Sequence, residues 1–319
     1  MANPIYLIAH RSAHRAFEDY YQNLSWVWRQ KSKQVTIVIF EDASEIPPPV
    51  LGDEIYFFLS YIPPVYLQRW QAWRSAMAVT ATGAKQPRLR PRIYLINTEQ
   101  STRPIWNRML HYYCDQGIPI IDYDQYQTEL IESWTKQTKK LEGCCLCLLD
   151  PVSPLETRRL TALMLPQSTE KPYQVAFCSV NRSKRRQRIS QQLQQRGIRV
   201  LDVSGWNEAR DQQIAQAQVL VNVHYDPQYQ IFEHLRCDRW ILSGMLVISE
   251  SSASDDLLDC KNLLITAPYE TLVTTIIDVI QNYPRYYEHY LACLEAQQVE
   301  ILDARRKRCE QLIRSIGKK

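Results

Sequence analysis

Glycine is scarce in this chain, with eight residues in 319. Neither G-x-G-x-x-G nor G-x-x-x-x-G-K-[ST] occurs, which speaks against a dinucleotide fingerprint and a P-loop. No apolar run approaches the ~18–20 residues that a bilayer-spanning helix needs. The opening MANPIYLIAHRSAH has too short an apolar core, and no basic head, for a signal peptide. A cytoplasmic location is therefore expected. A strong excess of one charge is also missing. Lys and Arg number 38 against 34 Asp and Glu, a net +4. That balance does not call for nucleic acid and suits a small anionic ligand. Cysteine is present in nine copies, but no pairing at zinc spacing completes four ligands. An odd number scattered through a long chain reads as reduced, buried thiols. The cluster Cys144, Cys145, Cys147 reads as a buried strand.

What is present is an alternation. The chain is 45% hydrophobic and 23% charged, an ordinary soluble composition, and is long enough for two domains. Short apolar runs such as IYLIAH, EIYFFLSYI and PRIYLINTEQ are each followed by a helical pattern. Gly117 fits the position just past a helix end. A proline-rich stretch, with Pro151, Pro154, Pro166 and Pro172, reads as an interdomain connection. The alternation then restarts with YQVAFCSV, IRVLDV, VLVNVHY, MLVISE and NLLIT. Residues 228–244 read as the helix after VLVNVHY. The fold expected is α/β, two tandem Rossmann-like doubly wound domains. Residues 1–168 and 169–284 form the two domains, and a long polar helix occupies 285–319.

Ligands of such sheets sit at the carboxyl ends of the strands. After the first strand of the second half come Asn181, Arg182 and Lys184 at a helix N-terminus, where the dipole favours a phosphate. Trp206 follows the second strand and can stack on a base. Asn222, His224 and Tyr225 follow the third. Glu233 and Arg236, three apart on the expected helix, can pair or face the crevice. Glu250 follows the fourth strand and is placed to accept from a ribose diol, with Ser251 and Ser252 as caps or phosphate ligands.

The runs NVHYDPQYQIFEHLR and LSGMLVISESS, with PRIYLINTEQ and IPIIDYD in the first half, resemble GT-B glycosyltransferases, in particular the family-1-like branch of bacteria and giant viruses. The resemblance covers nearly the whole chain. It implies transfer of a sugar from a nucleoside diphosphate sugar, bound by the second domain, to a carbohydrate, glycoprotein or lipid-linked acceptor on the first. It implies a last helix crossing back to the first domain, no cofactor beyond the donor, and no metal, because helix dipoles and basic side chains stabilise the leaving diphosphate. His10, after the first strand, is a candidate base; Glu99 is its rival, with Asp122 and Tyr123 in the same crevice. One departure is Arg239, which stands five residues before Gly244, where relatives often carry a ribose-binding glutamate. A second reading is a nucleotide-sugar-binding module without catalysis. The basic runs SKRRQR and RRKRCEQLIRSIGKK lack interleaved aromatics, so no nucleic-acid partner is expected. Leu312, Ile313 and Ile316 in the basic tail suggest a peripheral contact with an anionic membrane.

Overall fold

The computed structural model describes residues 4–31, 34–48, 54–80, 92–138, 145–164, 171–177 and 183–318. Asn181 and Arg182 lie outside the described residues. The first sheet contains β1 (Ile5–His10), β2 (Val35–Phe40), β3 (Ile55–Leu59), β4 (Arg92–Ile96), β5 (Ile120–Asp122) and β6 (Cys145–Cys147). The second contains β7 (Tyr173–Phe177), β8 (Val200–Asp202), β9 (Ala217–Asn222), β10 (Leu246–Glu250) and β11 (Leu264–Ala267). All pairings are parallel. The strand orders are β2-β1-β3-β4-β5-β6 and β11-β10-β9-β7-β8. Parallel strands need crossovers, and helices on both faces leave the central strands wholly buried. Strand β3, IYFFL, is buried at every position. The chain reverses direction across each sheet between β1 and β3 and between β7 and β9, and crevices open at such switch points.

The first crossovers are α1 (Arg11–Arg29), α2 (Pro64–Thr80), α3 (Pro104–Asp115) and α4 (Gln125–Thr138). Gly117 follows α3 at φ +73°, the left-handed conformation that glycine adopts without steric cost. The proline-rich stretch is not a bare connection. It holds α5 (Pro154–Met164), because a proline in the first turn gives up only an N–H that has no helical partner. Val152, Leu160 and Met164 pack in the core of the second sheet, although the expected boundary at 168 assigns them to the first domain.

The second half continues with α6 (Lys184–Gln195), α7 (Asn207–Ile214), α8 (His234–Ile241), α9 (Leu272–Gln281) and α10 (Tyr283–Lys318). Helix α8 begins later than its sequence pattern suggests, and 228–233 is irregular. The backbone there is claimed by other partners. The Gln100 amide donates to the Ile231 carbonyl at 2.9 Å and accepts from the Ile231 N–H at 3.0 Å. Thr102 Oγ1 donates to the Gln228 carbonyl at 2.6 Å, and Ala253 N to that of Gln230 at 2.8 Å. Groups so paired are lost to a helical ladder.

The C-terminal helix crosses between the two halves. Tyr283, Tyr287, Tyr290, Leu294 and Ile301 belong to the second core; Cys309, Leu312, Ile313 and Ile316 belong to the first. Trp28 Nε1 donates to the Cys309 carbonyl at 3.2 Å. The apolar face on which the expected membrane contact rested, Leu312, Ile313 and Ile316, is buried against α1, with Ile313 only 1% exposed. Among the described residues, no helix is long and apolar enough to cross a membrane.

Candidate functional site

The carboxyl ends of the two sheets face each other across a cleft of about 290 Å³. From the first sheet it takes Glu99 and Gln100 after β4, Tyr123 after β5, and Phe17 of α1. Helix α1 breaks at Phe17, whose φ of −126° and ψ of 19° are not helical. From the second sheet come Trp206, Tyr225, Tyr229, Glu233 and Arg236 after β8 and β9, and Arg186 of α6. Trp206 is 41% exposed. Tyr225 and Tyr229 meet edge to face at 5.6 Å, and the Arg103 guanidinium lies 4.7 Å from the Tyr229 ring centre. The cleft thus joins flat aromatic surface to guanidiniums.

Glu99 is placed by its own turn. Asn97 Oδ1 accepts from the Glu99 N–H at 3.2 Å, while Asn97 Nδ2 donates to the Glu99 carbonyl and to Asp122 Oδ2, both at 2.7 Å. Burial pushes the Glu99 carboxyl up to about 7; Arg103 and Arg236 oppose the rise and the Glu233 charge adds to it. A carboxyl that titrates near neutrality in a cleft is suited to moving a proton. Glu233 meets Arg236 at 2.5 Å and Arg186 at 3.7 Å. A carboxylate therefore sits between two guanidiniums where an anionic ligand would compete for them. The neighbouring Gln100, 3% exposed, ties Glu99 to this loop through its two bonds to Ile231.

Six residues singled out from sequence line this cleft: Glu99, Tyr123, Trp206, Tyr225, Glu233 and Arg236. A second group stands behind them. Asn222 Oδ1 accepts from Arg236 Nη1, and Asn222 Nδ2 donates to Ser249 Oγ, both at 3.1 Å. Asn222 therefore orients Arg236. Glu250 pairs with Arg185 and accepts from the His224 N–H at 3.0 Å, and burial raises its pKa against the pull of Arg185. His224 Nε2 contacts Ser252 Oγ at 3.1 Å; burial lowers the ring pKa, against the Glu233 charge. The Ser251 N–H donates to the Ala267 carbonyl and the Ser252 N–H to Asp255 Oδ1. Lys184 is exposed at the start of α6. His10 does not line the cleft. It caps α1, its Nδ1 accepting from the Ser12 N–H at 3.3 Å and lying 2.7 Å from Ser12 Oγ.

Asp122 and Asp124 flank Tyr123 but are turned inward. Asp122 bonds Asn97 and Gln127, and burial pushes it up to about 8. Asp124 accepts from the Gln127 N–H at 2.9 Å and lies 3.5 Å from His234 Nε2. His234 is fully buried, which disfavours its charge, yet Asp238 at 2.9 Å and Asp124 raise it to about 9. Asp238 also pairs with Arg305 of α10 at 2.7 Å. Arg239, the departure noted in the sequence, is 2% exposed. It pairs with Asp19 at 2.7 Å, with Glu156, and with Asp211 at 3.3 Å. Arg239 does not line the cleft; it fastens α8 to α1, α5 and α7.

The chain is 35% identical over 192 residues to uncharacterized protein L138 of Acanthamoeba polyphaga mimivirus, a match covering 59% of this chain and 20% of L138. It is 30% identical over 222 residues to uncharacterized protein L140 of the same virus, covering 68% of this chain and 69% of L140. It belongs to the L140 family. The chain thus spans only about a fifth of L138 but over two thirds of L140. No family model matches the chain. Among solved structures, it is similar to a glycosyltransferase from Rickettsia africae, with TM-score 0.55 at 8% identity over 99% of this chain and 98% of that one. It is similar to an alpha1,3-fucosyltransferase, with TM-score 0.53 at 10% identity over 99% and 91%. It is also similar to a UDP-forming alpha,alpha-trehalose-phosphate synthase from Burkholderia vietnamiensis, with TM-score 0.51 at 10% identity over 99% and 99%. The L140-family chain therefore has the GT-B architecture, two parallel-sheet domains with a long C-terminal helix.

Sequence reasoning missed Phe17, Tyr229 and Gln100 as cleft residues. Arg186, by contrast, had a visible signal in its place within the basic first turn of α6. The Phe17 break had none, because the surrounding sequence is continuously helical in pattern.

Proposed function

We propose that this chain is a glycosyltransferase that moves a sugar from a nucleoside diphosphate sugar to an acceptor hydroxyl, with the donor on the second sheet's rim and the acceptor on the first. The observation that carries this reading is Glu99, titrating near 7, across the cleft from Glu233, Arg236 and Arg186. The acceptor hydroxyl gives its proton to Glu99 while its oxygen bonds to the anomeric carbon. The carbon–oxygen bond to the diphosphate breaks, and the leaving oxygen takes the electron pair. Arg186 and Arg236 meet the charge that develops there, and fixed cations in a partly dehydrated cleft are effective at this. The reaction is proposed to need neither metal nor cofactor. Trp206 and the tyrosines offer faces for the base or sugar. The acceptor is a carbohydrate, glycoprotein or lipid-linked glycan, and a cytoplasmic setting suits the free cysteines described.

The test begins with the melting temperature in UDP, GDP, CDP and dTDP. A ligand at a hundred times its Kd stabilises by about 2.7 kcal/mol, so one of the four is expected to raise it clearly. Silence from all four refutes the proposal. Release of nucleoside diphosphate in the presence of acceptor then separates an enzyme from a module that binds nucleotide without turning over a donor. Turnover is expected to persist in EDTA.

A further inference from the structure

A second cavity, of about 450 Å³, opens between α1 and α5, within the size range of small-ligand sites. Asp19, Asn23 and Glu156 stand at its inner side, while Trp26, Leu155 and Gln22 contribute from α1 and α5. It shares a wall with the cleft. Asp19 faces this cavity and pairs at 2.7 Å with Arg210, which lines the cleft.

The inner side is built from paired groups. Asn23 Nδ2 donates to Glu156 Oε2 at 2.7 Å, and Asn23 Oδ1 accepts from the Ser153 N–H at 2.8 Å. The charges nearly cancel. Asp19, Glu156 and Asp211 are matched by Arg159, Arg210 and Arg239 in one connected set. Arg29, at the edge, donates to the Val35 carbonyl at 3.3 Å. An anion such as a phosphate gains little from a wall already neutralised. A purely apolar guest would strand the polar groups it covers. The remaining features ask for hydroxyls and a C–H face together. Gln22 and Gln30 expose amides that both donate and accept. Arg159, paired with Asp211, keeps a side chain that is 45% exposed. Half-buried Trp26 and Leu155, 61% exposed, add apolar surface beside them.

We propose that this cavity is a second binding site whose ligand is a neutral saccharide, its C–H face on Trp26 and Leu155 and its hydroxyls on the amides and Arg159. The inference rests on the make-up of the cavity and not on the reading of the cleft.

Saturation-transfer NMR on the full chain tests it, with neutral oligosaccharides of glucose, galactose, mannose and N-acetylglucosamine, and with oligogalacturonate as the charged control. At least one neutral oligosaccharide is expected to bind. Leu155→Arg, a change at an exposed position, and Trp26→Ala are each expected to weaken it roughly tenfold or more. Arg236→Ala, in the cleft, is expected to leave it unchanged. The site is overturned if no neutral oligosaccharide binds, if only oligogalacturonate binds, or if binding is retained in Leu155→Arg and Trp26→Ala. A failure of every nucleotide to raise the melting temperature would refute the cleft reading without altering any of these outcomes.

Discussion

Replacing Glu99 by glutamine removes a charge while keeping the side chain's shape, and its effect on stability depends on pH in a direction fixed by the cleft. The carboxyl rises from its ordinary 4.5 to about 7, chiefly because it is buried. Between those values the folded protein holds a proton that the unfolded chain releases, so the contribution of Glu99 to stability falls as pH rises. Above 7 the whole penalty is present; below 4.5 it is absent. At 1.36 kcal/mol per pH unit the penalty is roughly 3 kcal/mol. Glu99 is only half-buried, and solvent screening reduces this to about 1–2 kcal/mol. Glu99→Gln should therefore melt higher than the parent by about 2–3 °C at pH 8 and at nearly the same temperature at pH 4.5. Melting curves of both proteins from pH 4.5 to 8.5 measure the difference, in which other buried carboxyls, such as Asp122 and Glu156, cancel. The same substitution should lower donor turnover by about 10²–10⁴-fold, the usual worth of a positioned base. The parent's turnover should rise with pH through about 7. Parallel melting profiles for the two proteins, or a Glu99→Gln enzyme that turns over normally, would refute the assignment.

Three further outcomes follow from the contacts. Gln100→Ala strands the buried Ile231 N–H and carbonyl, at about 1–3 kcal/mol each, and hydrogen exchange should show Ile231 losing protection. Arg239→Ala leaves Asp19, Glu156 and Asp211 short of a cation, a loss of about 3–5 kcal/mol that chemical denaturation would register; an unchanged midpoint would mean the cluster does not hold the halves together. Ile313→Asp puts a carboxylate into the core shared by α1 and α10, and should cost several kcal/mol. A variant that kept its stability but lost binding to anionic vesicles would instead support the membrane reading of the tail.

The sheets were legible because their signal is local. A run such as IYFFL, apolar at every position and bounded by turns, has few alternatives to a central strand. The later start of α8 was not legible, because its cause lies 131 residues away in the Gln100 amide. Helix α4 was legible and overlooked. Asp124 accepts from the Gln127 N–H at 2.9 Å, and an Asp followed three residues later by Gln is a helix-start pattern. Helix α5 was hidden by reading its prolines as breakers when one of them opens the helix.

The candidate site divides along another line. Asn222, His224, Glu233, Arg236 and Glu250 are polar residues near strand ends, and sequence gives no reason to separate them. Burial separates them. Glu250 is 8% exposed and spent on Arg185 and the His224 amide, and Asn222, 2% exposed, is spent on Arg236 and Ser249. Glu233 and Arg236 remain on the cleft wall. The braced group gives the facing group its geometry, because Arg236 is aimed partly by Asn222. Across the cleft the same logic applies to Gln100. It neighbours Glu99 in the chain and grips Ile231, two residues before Glu233. A single buried amide thus ties Glu99, the proposed base, to the loop that carries Glu233. Loss of that amide should disturb the proposed proton transfer and donor binding together, although Gln100 belongs to the first sheet's loop and the proposed donor site to the second.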